Sequence, residues 1–141
     1  MGFTFSTQKV FPPIQILDLY ASVEWTAYTK DIPKLLRALE KSSLVISAWE
    51  GEELLGLSRT ITDGETIAYI QDILVKPEFQ GKNIGSKLMS LMLEELEGIR
   101  QIVLMTDTGE PNNHLHAWYE SHGFQAYDQL GVTGFAIFNF T

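Results

Sequence analysis

No cysteine occurs anywhere in the chain, which excludes disulfides, a thiolate nucleophile and cysteine-held zinc or iron–sulfur groups. Long apolar runs are also missing: none approaches the roughly 18 residues of a membrane-spanning helix. The opening Met1-Gly2-Phe3-Thr4 has no basic stretch followed by an apolar one, so a soluble cytoplasmic protein without a membrane partner is expected. Basic residues are scarce, 10 Lys and Arg against 18 Asp and Glu, for a net charge of -8. That balance argues against a nucleic-acid partner, whose binding surface is basic, and favours cationic partners such as amines. His114, His116 and His122 lack metal-ligand spacing of the H-E-x-x-H kind, so no metal is expected. Repeats and low-complexity segments are absent as well, and 141 residues suit one domain spanning residues 1–141.

What is present reads as strands and helices in a definite order. Ile67 to Val75 is rich in Ile, Val, Leu and Tyr with no Gly or Pro, the pattern of a buried strand. Lys76-Pro77 ends it, because proline has no N–H for a ladder. From Asn83 the polar residues Asn83, Lys87, Ser90, Glu94 and Glu97 recur every three or four positions, with Ile84, Leu88, Met89, Leu91, Met92, Leu93 and Leu96 between them. This spacing predicts a helix with one narrow polar stripe, closed by Gly98. Upstream, a short strand over Phe3 to Thr7 precedes a helix from Pro13 to Thr26, and Asp31 with Pro33 starts another whose apolar side is Ile32, Leu35, Leu36 and Leu39. Leu44 to Trp49 and Leu54 to Thr62 make a hairpin across E-G-E-E, and Thr62-Asp63-Gly64-Glu65 turns the chain into the central strand. A strand at Gln101 to Thr106, a helix from Asn112 to His122 and closing strands at Phe124 to Tyr127 and Thr133 to Asn139 complete the order. The fold class is therefore α+β: a mixed, mostly antiparallel sheet of six to seven strands with about four helices. One strand pair is parallel, where the long helix crosses between two strands.

Between the central strand and its helix lies Gln80-Gly81-Lys82-Asn83-Ile84-Gly85-Ser86. Its glycines permit backbone that a Cβ would block, and the amides at a helix start have no internal partner, so the turn is a ready cradle for phosphate. An ordinary strand-to-helix turn, with glycines for close packing, is the other reading. The dinucleotide fingerprint G-x-G-x-x-G and the P-loop pattern G-x-x-x-x-G-K-[ST] are both absent.

The run V-K-P-E-F-Q-G-K-N-I-G-S-K-L resembles motif A of the Gcn5-related N-acetyltransferases, the GNAT family, whose signature is Q/R-x-x-G-x-G/A after a strand ending in Val-x-Pro. Gln80, Asn83 and Gly85 take the signature positions, with Asn83 where glycine is usual. Asparagine tolerates left-handed backbone and helix starts better than most residues, so the departure is a mild one. Downstream, Asn112, Tyr119, Gly123 and Phe124 are similar to the family's second landmark, Asn-(x)6-Tyr-(x)3-Gly-Phe. The resemblance covers the last two-thirds or so of the chain.

It implies the acyl-CoA N-acyltransferase fold and acetyl-CoA as co-substrate. The pantetheine arm would lie along the edge of Ile73, Leu74 and Val75 as an added strand, with the backbone amide near Leu74 facing the thioester oxygen. The diphosphate would sit on Gln80, Gly81, Lys82, Asn83, Ile84, Gly85 and Ser86, and Asn112 would bind the cofactor arm unless it only caps its helix. Transfer from a thioester to an amine needs an unprotonated nitrogen, donors for the carbonyl oxygen and a proton for the departing sulfur. Tyr119 matches the family's tyrosine acid, the alternative being a packing tyrosine. Asp72 and Asp107 are the candidate bases, ahead of Glu65 and the histidines. Tyr20, Trp25 and Tyr28 either wall the acceptor pocket or pack on the sheet. The implied activity is acetyl transfer from acetyl-CoA directly to a primary amine of a small molecule or peptide; the alternative is a non-catalytic acyl-CoA sensor of the same fold. A homodimer is left open.

Overall fold

The computed structural model describes residues 2–139. Two stretches are each compact in themselves, Met1–Met105 and Thr106–Thr141. The first carries a five-stranded sheet, β1 (Thr4–Ser6), β2 (Leu44–Glu50), β3 (Glu53–Thr62), β4 (Ile67–Val75) and β5 (Gln101–Leu104), in that spatial order. It also carries α1 (Pro13–Ser22), α2 (Thr26–Thr29), α3 (Ile32–Lys41) and α4 (Ile84–Glu95), and the second stretch carries α5 (Asn113–Ser121). Neighbouring strands are antiparallel except β4 and β5, which α4 joins as a parallel pair.

Alternation along the strands sorts the two faces of the sheet. Val45, Leu54, Leu57 and Leu74 share a core with Ile16, Leu19 and Tyr20 of α1 and Leu35 and Leu39 of α3. Burying each large apolar side chain contributes about 1.5–3 kcal/mol, so this cluster is the main anchor of the two helices. Gly56, next to Leu57, points the other way, and a Cβ there would lie 3.2 Å from Leu88 of α4. Leu88, Met89 and Met92 are fully buried, as the apolar side of the predicted helix requires. Two register shifts break the ladder: one leaves Leu55 extra on β3, and one leaves Gln71 extra on β4, between the pairs Thr60–Ile70 and Arg59–Asp72. Such bulges bend a strand and re-aim its side chains.

Three expectations need correction. The first helix stops at Ser22 rather than Thr26, because Glu24 turns left-handed at φ 62 and the amides of Glu24 and Trp25 fold back onto the carbonyls of Ala21 and Tyr20. Among the described residues the sheet has five strands rather than six to seven, accompanied by five α-helices, one of them the four-residue α2. The closing strands at Phe124 to Tyr127 and Thr133 to Asn139 are not formed: Tyr127–Leu130 winds into a 3-10 turn ended by left-handed Gly131, and residues 132–139 have no ladder partner among the described residues. β-Propensity needs a neighbouring edge before it becomes a strand. By contrast, Asp31 caps α3 as predicted, its side chain accepting from the Lys34 amide at 3.2 Å.

Gly56→Ala tests the tight approach of α4. The added methyl would sit 2.9 Å from the Leu74 carbonyl oxygen, a backbone atom that cannot yield cheaply. A loss of about 1–3 kcal/mol is expected in denaturant unfolding.

Candidate functional site

β5 accompanies β4 only through the pairs Ile67–Gln101 to Ile70–Leu104, so beyond Ile70 the strand β4 has a strand neighbour on the β3 side alone. Which groups face the other side follows from parity. The Lys76 amide donates to the Leu55 carbonyl at 2.8 Å, and the Leu74 carbonyl oxygen also faces β3, close to Gly56. Leu74 therefore spends both of its backbone groups on the ladder. Of the amides near Leu74, those of Ile73 and Val75 therefore point to the open side. Gln80 folds back here, its Nε2 donating to the Val75 carbonyl at 3.1 Å.

The turn that follows carries left-handed backbone at Gly81 (φ 84) and at Asn83 (φ 64), the position that departs from the family's glycine. Asn83 precedes α4 without a side-chain cap, and among the described residues no protein oxygen accepts from the backbone amides of Gly81, Lys82, Asn83, Ile84 or Gly85. Five N–H donors and the positive end of a three-turn helix thus converge on one short segment. Ser86 lies half-buried within the first turn of α4. Of the lysines flanking the turn, Lys76 is committed to Glu53 at 3.0 Å, while Lys82 and Lys87 are exposed.

On the α1 side of β4 the chain builds a buried polar network. Left-handed Glu24 swings Trp25 back against Tyr20, with ring centroids 6.0 Å apart, and so delivers Tyr28 on α2. Tyr20 and Tyr28 donate their hydroxyls to Asp72, at 3.0 Å to Oδ2 and 2.9 Å to Oδ1. Arg59, the cross-strand partner of Asp72, donates Nε to Oδ2 at 2.8 Å and a terminal nitrogen to the Tyr28 hydroxyl at 3.1 Å. Gln71 Nε2 donates to the same hydroxyl at 3.1 Å. Burial first, and the Asp72 charge second, push both phenols above their ordinary range, Tyr20 the further. Only 2% of Asp72 is exposed, which makes it the hub of a network rather than a carboxylate open to an incoming ammonium. Arg59 and Gln71 were not singled out from the sequence, although a lone arginine inside an apolar strand pattern does call for a carboxylate across the ladder.

In the second stretch, the Tyr-(x)3-Gly-Phe landmark is a helix-ending device. Gly123 is left-handed at φ 96, and the Phe124 and Gly123 amides donate to the carbonyls of Tyr119 and Glu120. This is a Schellman motif, and its usual apolar contact is Phe124 against the Tyr119 ring, centroids 6.1 Å apart. Half-buried Tyr119 is pushed up by burial and drawn back by a hydrogen bond with the Thr106 side chain, with a net rise, so it stays a protonated phenol at neutral pH. Asn112 precedes α5 without capping it, and its side chain donates to the Thr108 carbonyl at 3.0 Å. Asp107 is exposed, and its carbonyl lies 2.7 Å from His116 Nε2.

Two outcomes follow from these geometries. Asn83→Val, a β-branched residue at positive φ, is expected to lower stability by about 1–2 kcal/mol, whereas Asn83→Gly should stay close to the native value in the same denaturant titration. Raised phenols stabilise the fold fully below the ordinary tyrosine range and lose that contribution as alkali ionises the unfolded chain, then the folded one. The melting temperature should therefore fall from about pH 10 upward, less steeply in Tyr28→Phe than in the native chain.

No helix among the described residues is long and apolar enough to cross a membrane, and none of their His, Asp and Glu side chains cluster as a metal site. The defining pattern of the acetyltransferase (GNAT) family matches residues 13–124. The chain is 30% identical over 128 residues to an uncharacterized ycf52-like N-acetyltransferase of Prochlorococcus marinus, covering 86% of this chain and 67% of that protein. It is 27% identical over 150 residues to the ycf52 N-acetyltransferase of Porphyra purpurea, covering 92% and 83% respectively. The fold matches a GNAT-family acetyltransferase of Streptococcus pneumoniae with a TM-score of 0.82 at 29% identity, over 99% of this chain and 100% of that one. A parallel pair joined through a glycine turn and a helix, two landmarks in order and kinship across most of the length agree, and the chain belongs to the GNAT family of acetyltransferases.

Proposed function

We propose that this chain is an N-acetyltransferase that takes acetyl from acetyl-CoA and passes it directly to a primary amine of a small molecule or peptide. One observation carries the reading. Within residues 73–85, a strand edge with two amides facing its open side runs into a helix start whose amides have no protein acceptor among the described residues, the donor pattern that an extended arm ending in a diphosphate requires.

Acetyl-CoA supplies an acyl carbon activated as a thioester. The amides of Gly81 to Gly85, with Ser86 and Lys82 beside them, hold the diphosphate, and those of Ile73 and Val75 align the pantetheine arm. One of these two also donates to the thioester oxygen as negative charge gathers there. Gln80 keeps the Val75 carbonyl from competing, and Asn112 steadies the arm. Asp107 takes the ammonium proton through water, since Asp72 is engaged with Arg59. Tyr119 gives its proton to the leaving sulfur as the C–S bond is exchanged for a C–N bond, and the second proton that the nitrogen loses on becoming an amide returns to the Tyr119 oxygen through water, which balances the charge.

Calorimetric titration with acetyl-CoA tests the cradle: Gly85→Glu should weaken binding at least about tenfold by setting a carboxylate against the diphosphate. Unchanged binding would remove the assignment. Tyr119→Phe should lower kcat by about 10²-fold with the acetyl-CoA affinity within about twofold. Binding by the native chain without CoA release for any amine would favour an acyl-CoA sensor.

A further inference from the structure

The network under α2 has a polarity, and it ends on an exposed group. Ionised Asp72 can only accept, so the Tyr28 hydroxyl spends its single hydrogen on Oδ1. Its oxygen must then accept, and it receives Arg59 and Gln71 Nε2 on its two lone pairs. The Gln71 carboxamide is thereby oriented: its NH2 faces inward, and its Oε1, without a protein partner among the described residues, is the outward end. Gln71 is also the extra residue of the β4 bulge, exposed, two positions before the Ile73 amide that faces the open edge. A buried charge pair thus presents one fixed, neutral hydrogen-bond acceptor beside the place assigned to the thioester.

We propose that Gln71 receives and orients the acceptor, its Oε1 accepting one N–H of a primary amine so that the nitrogen lone pair is directed at the acyl carbon. Tyr28, Asp72 and Arg59 are positioning residues that act through it. The inference rests on the acetyl-transfer reading, and it adds a residue and a selection rule to it: the acceptor must bring an N–H donor beyond the proton it gives up. A primary amine meets that rule, and a secondary amine, whose one N–H is the proton lost on acylation, does not.

Two readouts test it, with 2-phenylethylamine and spermidine as probes. In the non-reacting complex with CoA, each amine is titrated while the Gln71 side-chain NH2 signals are followed by NMR, assigned by their loss in Gln71→Leu. Both signals should move on saturation, and the amine-induced shift should shrink in Tyr28→Phe. In steady-state assays, Gln71→Leu should raise the amine KM at least about tenfold while the acetyl-CoA dissociation constant stays within about twofold. Gln71→Glu should work only while its new carboxyl is protonated and able to donate to Tyr28, so its rate should fall as pH rises through that carboxyl's pKa; the native chain should not show this fall. An amine KM within about twofold of native in Gln71→Leu, or signals that stay still at saturating amine, would overturn the role of Gln71 even if turnover continues. Shifted signals without CoA release would instead uphold it and contradict the acetyl-transfer reading.

Discussion

β4 outruns its parallel neighbour. β5 ends at Leu104, opposite Ile70, and β4 continues to Val75 with one side of its backbone outside any ladder of the described sheet. Polar backbone left without partners is costly wherever water is excluded, so such an edge persists only if something answers it. Gln80 answers one carbonyl. The amides of Ile73 and Val75 remain turned toward the same side, and the chain then leaves the strand through Pro77, where no ladder can resume. Five further amides without a protein acceptor among the described residues follow between Gly81 and Gly85. The chain therefore concentrates backbone donors along one line, which is how a protein recognises an extended ligand ending in phosphate with few side chains of its own.

The opposite face of β4 is organised by charge. Arg59 and Asp72 are 7% and 2% exposed, and removing one partner of such a buried pair costs about 3–5 kcal/mol because the other is left uncompensated. Two tyrosine hydroxyls, a serine and a carboxamide surround the pair, so few of its hydrogen-bonding groups go unanswered. The same bonds fasten α2, which is four residues long and buries none of them fully. Its place over the β4 bulge depends on Tyr28 and on the rings of Trp25 and Tyr20 more than on apolar packing of its own. A network of this kind fixes direction as well as position, since a carboxylate, a phenol and a carboxamide can be strung together in only one order of donor and acceptor.

Much of this was legible in the sequence. The β4 pattern ends at Val75 as read, α4 begins right after Asn83, and Asn83 adopts the left-handed backbone that its departure from glycine had to accommodate. Acidic composition and the lack of cysteine bounded the chemistry before any contact was known. Three features were not legible. Whether Leu74 or its neighbours face the open edge depends on ladder parity, which a pattern of apolar residues does not carry. The bulge at Gln71 is invisible to a period-two reading, and the pairing of Arg59 with Asp72 depends on the register that the bulge sets. The apolar residues near the C-terminus looked like strands because Phe124, Phe135 and Ile137 have the propensity, yet Phe124 is used to close α5 and residues 132–139 have no ladder partner among the described residues. The Tyr-(x)3-Gly-Phe landmark was legible as a family trait, while its physical content, a helix cap that fixes the Tyr119 ring, came only with the geometry.

The central claim is that backbone nitrogens of residues 73–85 hold acetyl-CoA, and amide NMR spectra of the native chain, recorded while acetyl-CoA is added, test it most directly. The account predicts that the amide signals of Ile73, Val75 and Gly81 to Gly85 shift most, and that Leu74, whose N–H is spent on β3, shifts less than either neighbour. Saturable binding that leaves those signals in place while others move would contradict it.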